Sequence, residues 1–279
     1  MKEKNSIPKN PVVGIIGGTG AMGQLFKRFF EKEGLNVLIS SDKTQLSPKE
    51  LAKQADVVIF SIPISKTVPI IQEISPFAKK GSVLADFTSL KKDAVKTMQK
   101  YAPAGVEIVG MHPLFGPGIN SFDGQTMVLC PGKGYAWLKW FKKIFKHGKL
   151  KVRIISPEEH DELMAIIQAL RHFNIISYAK ALKDSNVPLK QLISYSTPQN
   201  YLQMMGISHL LKQSPELYAD IQLSNPHTKK ILHKYFASVQ KLKKIVDKND
   251  KKAFIKFFKE SQNFFEELNG EKTHNAKKN

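Results

Sequence analysis

Val12 to Gly23 reads VVGIIGGTGAMG, a run of apolar residues passing directly into G-x-G-x-x-G at Gly18, Gly20 and Gly23. The motif alone is common. Here it follows a strand pattern, opens a helix pattern and stands at the first strand-to-helix turn, which is the context a dinucleotide fold requires. Gly18 is expected to permit the tight turn, Gly20 to let a pyrophosphate approach the backbone, and Gly23 to let the helix pack closely on the strand. The first N–H groups of that helix then face the phosphates. Thr19, Ala21 and Met22 complete the loop.

Outward from this loop, apolar runs recur at 12–16, 36–40, 56–62, 82–87, 107–111, 126–130 and 151–155. Several are nearly continuous in Val, Ile and Leu, as parallel strands buried on both faces require. Helical stretches lie between them, at 21–33, 48–54, 65–79 and 134–147, and Ser47-Pro-Lys-Glu50 has capping-box spacing with Pro at the first helical position. Strand alternating with helix predicts a doubly wound, mostly parallel α/β Rossmann sheet over 11–155. After a second capping box, Ser156-Pro-Glu-Glu159, the strand pattern stops. Leu163, Ile166, Ile167, Leu170 and Phe173 then recur at the period of one helix face. Further helices are expected at 198–212, 226–247 and 251–268. The second region is therefore read as an all-α domain over 156–270, with a frayed polar tail at 271–279.

Composition narrows the class. The chain has 279 residues, 42% hydrophobic and 24% charged, enough for a sizeable core. Its one cysteine, Cys130, excludes an intramolecular disulfide framework and a cysteine-rich zinc site, and no metal is expected. Lysines at the N-terminus are not followed by the apolar stretch of a signal peptide, and no run is long enough to span a membrane. A soluble, cytoplasmic protein is the expectation. The net charge is +19, but of 43 cations only Arg28, Arg153 and Arg171 are arginine. Lysine is the default solvated cation and arginine the usual reader of nucleic acid, so a solvated face is preferred to nucleic-acid binding. A positive field that draws in an anionic small-molecule substrate is a further reading.

The cofactor reading is NAD or NADP. The residue that usually binds the ribose 2′-hydroxyl falls at Ser40 or Ser41, followed by Asp42 and Lys43. Ser41 with Lys43 suits a 2′-phosphate, and Asp42, one residue along, suits the NAD ribose. Gly110-Met-His-Pro-Leu-Phe-Gly116 closes the fifth strand. Ligands of open α/β sheets bind at strand carboxyl ends, so His112 is placed as a general base beside the nicotinamide. Ser89, at the end of the fourth strand, is expected to hydrogen-bond the imidazole and fix its tautomer.

GGTGAMG, ADVVIFSIPI, LADFTSLK, GMHPLFGP, EEHDELMAIIQALRHF and ELYADI together resemble the prephenate dehydrogenase family, in particular the dehydrogenase part of bacterial chorismate mutase/prephenate dehydrogenase. The resemblance covers roughly residues 12–265 in motif order; about ten residues precede the first strand, so the mutase helix of the bifunctional enzymes is not expected. It implies NAD(P)-dependent oxidative decarboxylation of prephenate to 4-hydroxyphenylpyruvate, in tyrosine biosynthesis. It implies that His112 holds and deprotonates the ring hydroxyl, that Ser89 bonds that histidine, and that His172 lines the substrate site. Ser61 and Pro63 join the cofactor set, and the helical domain is implied to form a homodimer. Gln168, Arg171 and His172 share one helix face at i, i+3 and i+4 and are placed toward substrate.

The resemblance is broken at two places. Where the family has an arginine for a substrate carboxylate, this chain has His209, and where the bifunctional enzymes carry another arginine it has Tyr201. Imidazole does not reproduce a bidentate Arg–carboxylate contact. Lys212 or Arg171 is expected to supply the charge. The alternatives are a prephenate relative such as arogenate or 4-amino-4-deoxyprephenate, or a noncatalytic dinucleotide-binding regulator.

Overall fold

The computed structural model describes residues 7–275, with side chains to residue 266. All seven apolar runs form strands: β1 (Val13–Ile16), β2 (Val37–Ser40), β3 (Val57–Phe60), β4 (Val83–Asp86), β5 (Glu107–Pro113), β6 (Thr126–Lys133) and β7 (Lys151–Ile154). They make one sheet in the order β2-β1-β3-β4-β5-β6-β7. Pairing is parallel from β2 through β5, antiparallel between β5 and β6, and parallel again between β6 and β7. The chain leaves β1 to one side for β2 and returns to its other side for β3. That reversal opens a crevice at the carboxyl ends of β1 and β3.

Helices cover both faces of the sheet, because each strand interior is apolar on both sides. On one face α1 (Ala21–Lys32) and, later in the chain, the helix Ala136–His147 bury Phe26, Phe29, Phe30, Trp137, Phe141 and Phe145 against Val13, Ile15 and Val109. The Phe26 ring stacks on Phe87 at 4.1 Å between centroids. On the other face α2 (Pro48–Gln54), α3 (Ile64–Ile74) and α4 (Lys92–Tyr101) bury Leu51, Ile71, Ile74, Val95 and Met98 against Val58, Phe60 and Leu84. The helix Ala136–His147 is α5 in chain order. The α4 segment was not among the helices expected from the sequence; its apolar stripe is only Ala94, Val95 and Met98. Ser47 and Ser156 form the expected capping boxes, each hydroxyl accepting from the N–H of Glu50 or Glu159.

The helical region begins with α6 (Pro157–Met164), which runs through a π-helical turn at Ala165–Leu170 into α7 (Arg171–Asp184). Then come α8 (Leu189–Ser194), α9 (Pro198–Leu211) and α10 (Pro215–Ser224), of which α8 and α10 were not anticipated. All of these belong to one compact unit with the sheet, ending at Thr228. A second unit begins at Lys229, the second residue of α11 (Thr228–Asp247), and includes α12 (Lys251–Asn275). Within it Lys241 lies 5.4 Å over the Phe257 ring. The position 155–157 thus divides sheet from helices, whereas the compact units divide at 228/229. The expected polar tail is corrected in part: α12 continues past Glu271 to Asn275, and 276–279 lie outside the described residues. Among the described residues no helix is long and apolar enough to cross a membrane.

Candidate active site

The glycine loop fits a dinucleotide phosphate by its sterics. The left-handed turn falls at Gly17 (φ 81°), where a Cβ would stand 2.1 Å from the Ser61 carbonyl, and not at Gly18 as expected. Gly18 is instead required by packing: a Cβ there would lie 2.5 Å from Cβ of Ile39 on β2. A Cβ on Gly23 would lie 2.6 Å from the Gly17 carbonyl oxygen, so α1 packs down on the loop itself. Gly20 is the N-cap of α1 and no side chain caps that end, which leaves first-turn N–H groups directed at the crevice. Gly20, Ala21 and Met22 form one end of a cleft of about 690 Å³, with Ser61 and Pro63 beside them. This architecture suits a pyrophosphate, and the residues of the loop are the ones that would hold it.

His112 stands in the same cleft, at the carboxyl end of β5 and opposite Val128 of β6. Its ring is buried, and both nitrogens meet partners: Nδ1 lies 2.9 Å from Nε2 of His160, and Nε2 lies 3.3 Å from Nε2 of Gln168. Burial holds the imidazole well below the usual histidine value, and the neighbouring His160 and Lys91 charges push the same way. The ring is therefore neutral at pH 7, as a base must be. Behind it, His160 Nδ1 lies 2.8 Å from Oδ1 of Asp161, which also accepts the Lys91 N–H at 2.8 Å. Asp161 Oδ2 accepts the Lys92 N–H at 3.0 Å. Burial raises the Asp161 carboxyl, but the His160 hydrogen bond and the two backbone N–H groups bring it below the usual carboxylate value. Lys91 is fully buried, ion-paired to Asp86, and donates to the Met111 carbonyl at 2.8 Å.

The opposite wall is helical. Met164, Ile167, Gln168, Arg171 and His172 come from α6 to α7, and Gln213, Leu217, Tyr218 and Ile221 from the α9–α10 connection and α10. The π turn between α6 and α7 is what aims the first group, since it breaks the 3.6-residue period within the segment. Gln222 Nε2 donates to the Ala169 carbonyl in that turn at 2.7 Å. His172 packs on Tyr218 at 4.6 Å between ring centroids, and burial, with a smaller push from Arg171, lowers its pKa to about 4. The buried Gln168 Oε1 and His172 Nδ1 meet no protein partner. Polar atoms left open in a cleft wall are groups a ligand can satisfy.

Of the residues singled out in the sequence, Gly20, Ala21, Met22, Ser61, Pro63, Ser89, His112, Gln168, Arg171 and His172 line this one cleft. Gly18, Thr19 and Gly23 do not line it: Gly18 is buried in the loop, Gly23 is buried in α1, and Thr19 is exposed. Ser41 sits in the turn after β2, where its Oγ accepts the Lys43 N–H at 3.0 Å. Two expectations are corrected. The His112 ring takes its Nδ1 partner from His160, not from Ser89. Tyr201, His209 and Lys212 are exposed on or just after α9 and do not line the cleft. On the apolar stripe of the same segment Leu163, Ile166 and Ile167 are 46%, 47% and 50% exposed, while Gln168 and His172 stand in the cleft wall. His160, Asp161 and Lys91 were missed; the run EEHD after the Ser156 capping box was the signal that held two of them.

Loop, crevice and buried imidazole define a dinucleotide-binding Rossmann protein with a helical cap on its ligand cleft. Residues 31–155 match the family described as prephenate dehydrogenase, nucleotide-binding domain, and residues 156–260 that described as prephenate dehydrogenase, dimerization domain. The chain belongs to the prephenate dehydrogenase family. It is 34% identical over 273 residues to the probable arogenate/prephenate dehydrogenase of Methanocaldococcus jannaschii, covering 92% of this chain and 61% of that one. It is 32% identical over 255 residues to the T-protein of Enterobacter agglomerans, covering 91% of this chain and 67% of that one. The chain thus spans about three fifths to two thirds of the length of these relatives. Its fold is similar to that of A. aeolicus prephenate dehydrogenase in complex with hydroxyphenyl propionate and NAD+. The TM-score there is 0.75 at 19% identity, over 94% of this chain and 99% of the other.

Proposed function

We propose that this chain catalyses the NAD(P)-dependent oxidative decarboxylation of prephenate to 4-hydroxyphenylpyruvate. The observation that carries this reading is a buried, neutral His112 facing the same cleft as the open N-terminus of α1. A bound nicotinamide dinucleotide supplies the acceptor for the hydride lost from the ring carbon that bears the hydroxyl. His112 Nε2 takes the hydroxyl proton as that oxygen becomes a carbonyl; when carbon dioxide departs, the pair from the broken C–C bond makes the ring aromatic and the oxygen takes the proton back as a phenol. Phe87, Phe115, Met164, Ile167 and Leu217 give the ring an apolar seat and exclude water. Arg171 receives a carboxylate. The net charge of +19 favours capture of an anion.

In this reading residues 11–155 hold the dinucleotide and 156–270 complete the substrate site and dimerise. The dimerization-domain match and the open side chains Leu163, Ile166 and Ile176 support a homodimer, working in the cytoplasm in tyrosine biosynthesis. A second reading, arogenate, is favoured by one observation: among the described residues Arg171 is the only Lys or Arg in the cleft wall. Arogenate carries one net negative charge fewer than prephenate, so it makes the smaller demand on cations.

The test is reduced-cofactor absorbance with prephenate and with arogenate, each with NAD and NADP. Turnover of prephenate, abolished in His112→Asn while dinucleotide binding survives, is the expected result. Turnover of arogenate alone moves the assignment to the second reading. Silence from both, in protein that binds dinucleotide, refutes both readings.

A further inference from the structure

Asp161 and His160 do not line the cleft, yet their hydrogen bonds determine which nitrogen of His112 carries its proton. Asp161 is buried and accepts two backbone N–H groups, from Lys91 at 2.8 Å and Lys92 at 3.0 Å. Such a carboxylate is ionised and acts only as an acceptor. The nitrogen facing it at 2.8 Å, His160 Nδ1, must therefore carry a hydrogen. A neutral, fully buried His160 then has a lone pair on Nε2. That lone pair faces His112 Nδ1 at 2.9 Å, and the contact is a hydrogen bond only if His112 supplies the proton. One order of protons satisfies every pair. It runs from His112 Nδ1–H to His160 Nε2, and from His160 Nδ1–H to Asp161.

We propose that His160 and Asp161 are positioning residues that hold His112 as its Nδ1–H tautomer, with the Nε2 lone pair presented to the cleft. Gln168 Nε2 at 3.3 Å then donates to that lone pair until a substrate hydroxyl displaces it. The opposite tautomer would present an N–H to the substrate oxygen, and no base would remain. Around the ring lie the Lys91–Asp86 ion pair from the β4–α4 side, Asp161 from α6 and, in the cleft wall, Arg171. Lys91 is part of the same structure, since its backbone N–H fixes Asp161 while its ammonium holds the carbonyl of Met111, the residue before His112.

This inference rests on the reading of His112 as the base, so its test has a part that needs no substrate. Nitrogen-15 histidine spectra of the full-length protein near pH 7, with His112 assigned by its loss in His112→Asn, read the tautomer directly. A pyrrole-type Nδ1 and a pyridine-type Nε2 are expected; a protonated Nε2 in the wild type overturns the proposal. In His160→Leu the His112 ring is expected to change tautomer. Its kcat should fall by about 10²–10³, the scale of a lost general base, with KM and dinucleotide Kd within about threefold of wild type. His160→Gln, whose Oε1 can accept in place of Nε2, should restore about tenfold or more of that rate. Dinucleotide binding certifies that each variant is folded. Unchanged tautomer or unchanged kcat in His160→Leu overturns the proposal. If wild-type protein turns over neither substrate, the proposed function fails while the tautomer still decides this inference.

Discussion

Replacing Lys91 by Met tests how the site is held together. The lysine is completely buried, its ammonium paired with Asp86 and hydrogen-bonded to the Met111 carbonyl at 2.8 Å. Met fills a similar volume without the charge, so the loss is electrostatic. It strands the Asp86 carboxylate, one of whose oxygens already lacks a protein partner, and it removes the donor to Met111. Breaking a buried pair from one side costs about 3–5 kcal/mol, because an uncompensated charge stays out of water. Neutralising both partners, in Asp86→Asn with Lys91→Met, removes that charge; the amide oxygen still accepts from the Thr88 N–H and hydroxyl. The double variant should recover about 2 kcal/mol or more of the loss. Urea unfolding followed by tryptophan fluorescence is the assay, since both tryptophans, Trp137 and Trp140, lie in α5 within the same compact unit as the pair. A loss below about 1 kcal/mol in the single variant, or a double variant no more stable than the single, would refute the reasoning.

Arg171→Gln should raise KM for the carboxylate substrate by about 10- to 100-fold with little change in kcat, the scale of one charge-assisted bond; steady-state kinetics showing a kcat loss instead would move Arg171 from binding to chemistry. Because His112 works neutral, and burial with the His160 and Lys91 charges lowers its pKa, the acid limb of kcat/KM is expected below pH 6.5; a limb at or above 6.5 contradicts this. Stability should follow the same sign. His172 titrates at about 4 in the folded chain but at an ordinary value unfolded, so the unfolded state binds more protons across that window. Thermal unfolding should therefore show stability present above about pH 6.5 and lost as pH falls toward 4. Ser41→Glu places a carboxylate at the end of β2 and should shift the NADP-to-NAD affinity ratio toward NAD by about tenfold or more, read by fluorescence titration.

The parts of this molecule legible in the sequence are those whose cause is local. Seven apolar runs, two capping boxes and the glycine loop each carry their own signal, and His112 was found because it ends a strand. The imidazole's support was not legible. His160 and Asp161 occupy the first turns of α6 directly after the Ser156 capping box, where Glu and Asp read as solvated. They are buried only because residues 48 positions earlier in the chain, and the amides at the start of α4, fold against them. Periodicity alone does not say which face of this helix meets the cleft. Leu163, Ile166 and Ile167 keep one stripe, but the π turn that begins at Ala165 changes the register, and Gln168 and His172 stand in the cleft wall. Lys91 reads as one more lysine among many; nothing in its neighbours' composition announces full burial.

The Asp161 carboxylate also has a mechanical consequence. It grips the start of α4 through two backbone N–H groups, while Asn225 Nδ2, just beyond α10, grips the Asp161 carbonyl at 2.8 Å. Opening the cleft as a hinge about the connection from β7 to α6 would have to break all three bonds, two of them fully buried. The floor of the cleft therefore behaves as a riveted joint, and sheet and cap move as one piece there. Compliance is left to the rim, where the Ser65 N–H reaches Asp220 of α10 across 3.3 Å at an exposed position. Ligand entry is expected at that outer edge, where fewer and more exposed bonds stand in the way.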